Sequence, residues 1–194
     1  MRTVICPTYL HFHDLASHFL SLTASDRFLR FGWVISDLDI VTYVEALFER
    51  ADTVFVVADP APDIAGAVHL EFTDHGAHLG VSVSAWARGK GIGTLLLERA
   101  GLLASSRGVS TLFVRNLGLN MAQQRLARRV GMKVAYAPDA CPTRLELPVG
   151  DQGVVPGESW AGRITLADYS LRFRRTSQPD FDSSSVDLLE PIPS

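Results

Sequence analysis

Apolar residues recur at helical spacing in two early stretches of the chain. Leu15, Phe19, Leu20 and Leu22 follow Asp14, a residue suited to cap a helix start, and predict a short helix over 14–22. Ile40, Val44, Leu47 and Phe48 share one face behind Ser36 and Asp39. That pair resembles a capping box with Asp in place of Glu or Gln, so a second helix is predicted over about 37–49. Thr23 to Gly32 reads as a loop between the two.

The period then changes to two. Thr53 to Ala58 is a β-branched run stopped by Asp59-Pro60-Ala61-Pro62. Ile64 to Phe72 alternates, with Val68, Leu70 and Phe72 opposite His69 and Glu71. Asp74-His75-Gly76 is turn chemistry, so the next strand, 77–84, pairs antiparallel with its predecessor. In it Leu79, Val81 and Val83 oppose His78, Gly80 and Ser82. A leucine-rich helix runs to about Arg107 before Gly108, Thr111 to Arg115 is a strand, and Met121 to Val130 is a helix ended by Gly131. Met132 to Ala137 and Arg144 to Leu147 read as strands around a Pro138 to Pro142 loop, and Thr3 to Cys6 adds a first strand. Hairpins mixed with helical crossovers define an α+β class, with a mixed, mostly antiparallel sheet flanked by helices. No internal repeat is visible.

Composition narrows the classes further. Of 194 residues, 47% are hydrophobic and 20% charged, enough to fill a core and too apolar for a disordered chain. The longest uncharged apolar runs fall far short of the ~20 residues of a membrane span. Met1 to Leu15 lacks the apolar stretch of a signal peptide, so a soluble, cytoplasmic protein without a membrane partner is expected. Cys6 and Cys141 have no metal-ligand spacing, and His11, His13, His69 and His75 are scattered, so they read as surface or capping residues and no metal is expected. Trp33, Trp86 and Trp160 read as packing residues.

Acidic and basic residues balance over 1–148, and the net charge of −3 comes entirely from the residues after Pro148. A neutral body offers no basic field for nucleic acid. Lys90 and Lys133 are the only lysines among 18 basic residues, so an arginine is weak evidence for phosphate binding on its own. After Pro148, Gly, Pro, Ser and Asp accumulate, and Leu166 to Phe173 could form one more strand or helix. The organisation expected is a domain over 1–148 and a partly ordered C-terminal extension over 149–194 with a disordered end. That extension is expected to pack on the domain or to mediate a homodimer contact.

The sharpest chemical signal is Arg88-Gly89-Lys90-Gly91-Ile92-Gly93-Thr94, which follows a strand and opens a helix. Backbone N–H groups and the helix dipole make an anion site in that context, and glycine permits close approach of a phosphate. Arg88 and Lys90 add positive charge, so a diphosphate is the natural guest. The spacing GxxxxGK[ST] is absent, which argues against a nucleoside triphosphatase, and GxGxxG fails, since the glycines stand at 89, 91 and 93.

Residues 76–134 resemble the GNAT family of N-acetyltransferases. Leu79-Gly-Val-Ser-Val83, Arg88-Gly-Lys-Gly-Ile-Gly93 and Leu95-Leu-Leu are similar to that family's strand-loop-helix motif for coenzyme A. Asn120 followed by Leu126-Ala-Arg-Arg-Val-Gly131-Met132 is similar to its second signature, and Ser25 to Phe31 looks like a bacterial branch. The resemblance, including the element order, covers about three-quarters of the chain. It implies an acetyl-CoA-dependent N-acetyltransferase acting on a primary amine of a small molecule or protein by direct attack. The amides of 88–94 would hold the pyrophosphate, the splayed strand around Val81, Ser82 and Val83 would pair with the pantetheine arm, and Asn120 would hydrogen-bond it.

One position departs from the family. A tyrosine often stands seven residues after the asparagine as acid for the thiolate, and Ala127 occupies that place. The alternative function is therefore a catalytically weak or inactive CoA-binding regulatory or structural module. A third is an acyltransferase for longer acyl-CoA. Candidates for the general base are His78, on the strand entering the site, and Glu71 on the preceding strand. A strand histidine without catalytic duty and a solvated strand acid compete with those roles. Arg30 and Phe31 lie where relatives shape the acceptor pocket, with packing an equal competitor for Phe31. Arg125, Arg128 and Arg129 could approach a cofactor phosphate, with a solvated helix face the preferred reading.

Overall fold

The structure, a computed structural model, describes residues 3–50, 52–58, 63–136 and 142–148. Seven strands form one sheet: β1 (Thr3–Ile5), β2 (Thr53–Ala58), β3 (Ile64–Thr73), β4 (Gly76–Val83), β5 (Thr111–Val114), β6 (Lys133–Tyr136) and β7 (Pro142–Glu146). Their order across the sheet is β1-β2-β3-β4-β5-β7-β6, and every pairing is antiparallel except β4 with β5. The helices are α1 (Phe12–Leu20), α2 (Ala24–Phe31), α3 (Asp37–Glu49), α4 (Ile92–Ser106) and α5 (Met121–Arg129).

The alternation in β3 and β4 decides which face each residue meets. Leu15, Phe19 and Leu22 join Ile40, Val44 and Leu47 of α3 in one buried cluster with Val54, Val56 and Ala67 of the sheet. On the opposite face lies α4. A Cβ at Gly66 would sit 2.9 Å from an Ile92 side-chain carbon and 3.0 Å from one of Leu96, so glycine there lets helix and sheet approach closely. Because Gly66 pairs with Val83 and Ala67 with Ser82, Ser82, Gly80 and His78 face α1–α3 while Val83, Val81 and Leu79 face α4.

One expected loop is a helix. Residues 24–31 form α2, capped by Thr23, whose hydroxyl accepts from Asp26 N–H at 3.2 Å, and ended by Gly32 at φ 96°. Phe28 and Phe31 stand at helical spacing, but the segment is short and rich in charge, and the helix is held by tertiary bonds. The Arg27 guanidinium donates to Leu20 O (2.8 Å), Leu22 O (3.1 Å), Ile35 O (3.0 Å) and Asp37 Oδ1 (2.6 Å), tying the end of α1 to the start of α3. The first helix also starts earlier than predicted, at Phe12, which puts Asp14 in its first turn rather than at its cap.

No helix among the described residues is long and apolar enough to cross a membrane. The Asp59–Pro62 stop, Cys141, Trp160 and the 149–194 extension, with the element expected at 166–173, lie outside the described residues, as does most of the Pro138–Pro142 loop.

Candidate functional site

The sheet opens between β4 and β5. These strands pair only through Ala77 with Leu112, His78 with Phe113 and Leu79 with Val114. Among the described residues, the β4 edge facing β5 has no strand partner from Gly80 to Val83, and Val81, Ser82 and Val83 line a cleft of about 600 Å³. Sites of this size suit a small-molecule ligand.

The glycine loop closes one end of this cleft. Gly89 and Gly91 hold φ of 74° and 81°, a left-handed conformation that strains any residue with a Cβ. Nothing lies within 4 Å of a Cβ built at either position, so backbone conformation rather than space demands glycine. Gly91 is the N-cap of α4 and carries no capping side chain, which leaves the first-turn amides of that helix open to an anion.

Of the residues expected to bind cofactor, Val81, Ser82, Val83, Arg88, Gly89, Gly91, Ile92, Gly93, Thr94 and Asn120 line the cleft. Lys90 does not: its ammonium lies 5.3 Å from the centre of the Trp86 ring, outside the lining. Arg88 is at the cleft but already engaged, with a guanidinium nitrogen 2.7 Å from Asp26 Oδ1. Burial alone would raise the Asp26 pKa. Hydrogen bonds from Arg88 and Thr23, and the Arg88 charge, outweigh it and hold the carboxyl below its ordinary range. Arg88 therefore fastens the glycine loop to α2.

The asparagine at the second signature also has a structural duty. Asn120 caps α5, its Oδ1 accepting from Gln123 N–H at 3.0 Å while its Nδ2 donates to Gln123 Oε1 at 3.1 Å. The Gln123 Nε2 has no hydrogen-bond partner among the described residues, although the residue is only 7% exposed and lines the cleft. An orphaned buried donor in a cleft wall fits a ligand that brings acceptors. Arg125 and Arg129, expected on a solvated face, are exposed but also line the cleft and add positive charge; Arg128 instead bonds Gln124 Oε1 at 3.3 Å. Ala127 is fully buried and presents no group to the cleft.

The two candidate bases face each other across the β3–β4 hairpin, Glu71 opposite His78. His78 is exposed and packs against Phe113, with ring centres 5.6 Å apart. Neither residue lines the cleft; His78 stands three positions before Val81, about 10 Å along the strand.

On the same face a polar chain runs inward from the cleft. Arg30, in the cleft wall, donates to Tyr43 Oη at 2.7 Å, and that hydroxyl lies 3.1 Å from His69 Nδ1. His69 Nε2 is 3.2 Å from Asp52 Oδ2, within ion-pair distance but not aligned as a hydrogen bond. Burial first, and then the Arg30 charge, lower the His69 pKa against the pull of Asp52. His69, read from sequence as a surface or capping residue, is thus largely buried, with 13% of its side chain exposed.

His18, which sequence reasoning did not single out, is 4% exposed and bonds Ser82 and Ser84 at the back of the cleft wall. The available signal was its position, three residues after Leu15 and four before Leu22 on the face that packs inward. No group of three or more metal-ligating side chains gathers among the described residues.

The sheet thus splays beside a glycine-rich helix start. The model of the acetyltransferase (GNAT) family matches residues 19–132, and the chain belongs to that family. Among solved structures it is similar to the GNAT domain of S. lividans PAT, at 17% identity over 74% of this chain and 88% of that one, with a TM-score of 0.60. It is also similar to the PaiA N-acetyltransferase from Thermoplasma acidophilum in complex with coenzyme A (14% identity, 75% and 98% covered, TM-score 0.51). The spermidine N-acetyltransferase from Vibrio cholerae in complex with CoA and spermine is a third such structure (15% identity, 75% and 92% covered, TM-score 0.53). At these identities the likeness shows the fold. No curated protein matches the chain.

Proposed function

We propose that this protein transfers an acetyl group from acetyl-CoA to a primary amine of a small molecule or a protein by direct attack on the thioester. The observation that carries the reading is the continuity of one cleft from the open amides of α4 to the unpaired edge of β4. The first turn of α4, with Gly89 and Gly91, suits a pyrophosphate, and Arg125 and Arg129 add charge for it. The β4 edge from Gly80 to Val83 suits an extended amide-bearing arm laid against it as an added strand. Two structures of like fold are complexes with coenzyme A, which supports the same co-substrate here.

In the transfer, a β4 amide polarises the thioester carbonyl, the amine nitrogen attacks the carbonyl carbon, and the carbon–sulfur bond breaks. We assign the acceptor's proton to Glu71 or His78, reached through water from the cleft. With Ala127 buried, the thiolate takes its proton from solvent. We place the reaction in the cytoplasm and involve no metal, nucleic acid or membrane.

A second reading, a CoA-binding module without turnover, is favoured by the buried Ala127. A thermal-shift titration with acetyl-CoA, CoA, NAD and ATP, followed by thiol release over an amine panel, separates them. Stabilisation by the two CoA species alone, by several degrees at saturating ligand, with amine-dependent thiol release supports the enzyme. Stabilisation without release on any amine supports the module. A response only to NAD or ATP defeats both.

A further inference from the structure

His18 reaches from α1 to β4, and its hydrogen bonds determine where the ring proton sits. Its Nδ1 lies 3.2 Å from the carbonyl oxygen of Ile64 and 2.9 Å from Ser84 Oγ. The carbonyl can only accept. Ser84 gives its single hydroxyl hydrogen to that same carbonyl at 2.9 Å, so toward His18 it too can only accept. Both neighbours of Nδ1 being acceptors, Nδ1 carries the hydrogen. On a neutral ring Nε2 then holds a bare lone pair, and Ser82 Oγ, 2.7 Å away, must donate to it. The ring is neutral: burial, the largest influence, and the Arg30 charge lower its pKa to about 4 against the Ile64 hydrogen bond.

The consequence falls on Ser82. Its only hydrogen is committed to the protein interior, so the rest of Oγ is lone pair. Ser82 lines the cleft, on the part of β4 that has no β5 partner. A serine is ordinarily both donor and acceptor; this one is restricted to accepting.

We propose that Ser82, oriented by His18, is a one-way hydrogen-bond acceptor in the cleft wall and receives an N–H of the bound substrates. That N–H is an amide of the cofactor arm or the amine of the acceptor. The inference rests on the reading of the cleft as an acetyl-CoA site. His18 is a positioning residue. It is not the base, since drawing a proton from a lysine-like ammonium onto a ring titrating near 4 is uphill on the order of a million-fold. The same weakness excludes Ser82 as an activated nucleophile.

Two measurements test this on the full chain. In the first, ¹⁵N shifts of the His18 ring in the free protein report the tautomer: hydrogen on Nδ1 is expected, and hydrogen on Nε2 overturns the proposal without reference to activity. The second uses Ser82→Ala, His18→Leu and His18→Gln, whose melting temperatures are recorded first. Affinity is read for CoA and for 3′-phospho-ADP, which lacks the arm, and KM is read for the amine. If the arm supplies the N–H, Ser82→Ala weakens CoA about five-fold and leaves 3′-phospho-ADP unchanged. If the amine supplies it, KM for the amine rises by up to about thirty-fold at unchanged CoA affinity. His18→Leu should reproduce the loss, and His18→Gln, whose Oε1 can take the Ser82 hydrogen, should restore most of it. CoA affinity and amine KM both within two-fold of wild type in a folded Ser82→Ala protein overturn the proposal. A wild-type protein that binds neither CoA nor 3′-phospho-ADP overturns the acetyl-CoA reading itself, a failure seen without any variant.

Discussion

The guanidinium of Arg30 lies directly against the backbone of Gly80, filling the space a β-carbon would occupy there. Three rings surround that guanidinium, with Phe31, Tyr43 and Phe19 centres at 4.9, 5.7 and 5.8 Å, and Tyr43 accepts its hydrogen bond. The side chain is therefore not free to swing aside. Gly80→Ala should cost about 1–3 kcal/mol, the range for overpacking a filled site. In an Arg30→Ala background the same substitution should cost close to nothing, because the obstacle is gone. Urea unfolding of the four proteins in this cycle checks the coupling, and equal costs in both backgrounds would refute it.

Stability should depend on pH through His18. Its pKa is 6.5 unperturbed and about 4 in the fold, so the unfolded chain binds the proton more readily. The contribution is fully present above pH 6.5 and is lost as pH falls from 6.5 toward 4. A shift of this size corresponds to roughly 3 kcal/mol. His69, also lowered, acts in the same direction, so the difference between wild type and His18→Gln isolates the His18 share. Unfolding free energies measured from pH 4 to 7.5 should converge at low pH and separate near neutrality, and parallel curves would contradict the assignment.

Gly91 should be sensitive to any side chain, although there is room for one. At φ 81° an alanine meets no neighbour within 4 Å, so the whole cost is conformational. About 1–2 kcal/mol is expected for Gly91→Ala and less for Gly91→Asn, since asparagine tolerates left-handed backbone better. Thermal melts rank the three proteins. A Gly91→Ala protein as stable as wild type would show that the loop adopts another conformation.

Asn120 combines a cap with a place in the cleft, and two substitutions separate them. Asn120→Ser keeps an oxygen for the Gln123 N–H and should melt near wild type, whereas Asn120→Ala should lose about 1 kcal/mol. Both remove the amide donor, and both should weaken CoA about five-fold if that donor meets the ligand. Unchanged CoA affinity in Asn120→Ser would reduce the residue to a helix cap.

Much of this molecule is legible from the chain alone. Alternation over 64–84 sets the β3–β4 hairpin, and its register puts Ser82, Gly80 and His78 on one face, because side-chain direction in a strand follows parity. The glycines at 89 and 91 are legible for an equally local reason: only they accept the backbone turn that leaves the α4 amides open. What local pattern could not supply is any contact between distant segments. The helix over 24–31 is held by Arg27 bonds to carbonyls on either side, and its eight residues, three of them charged, are too short a run for Phe28 and Phe31 to announce it. Arg88, read as positive charge beside the glycine loop, is also paired with Asp26, which only α2 brings to it. His18 and Ser82 are 64 residues apart, and only the packing of α1 on β4 makes them one unit with a single direction of hydrogen bonding. The sequence by itself determined strand parity and the glycine loop that opens α4, both properties of neighbouring residues. Tertiary structure alone decided which charges are paired and which way the proton of Ser82 points, because partners and burial are set by where the chain returns.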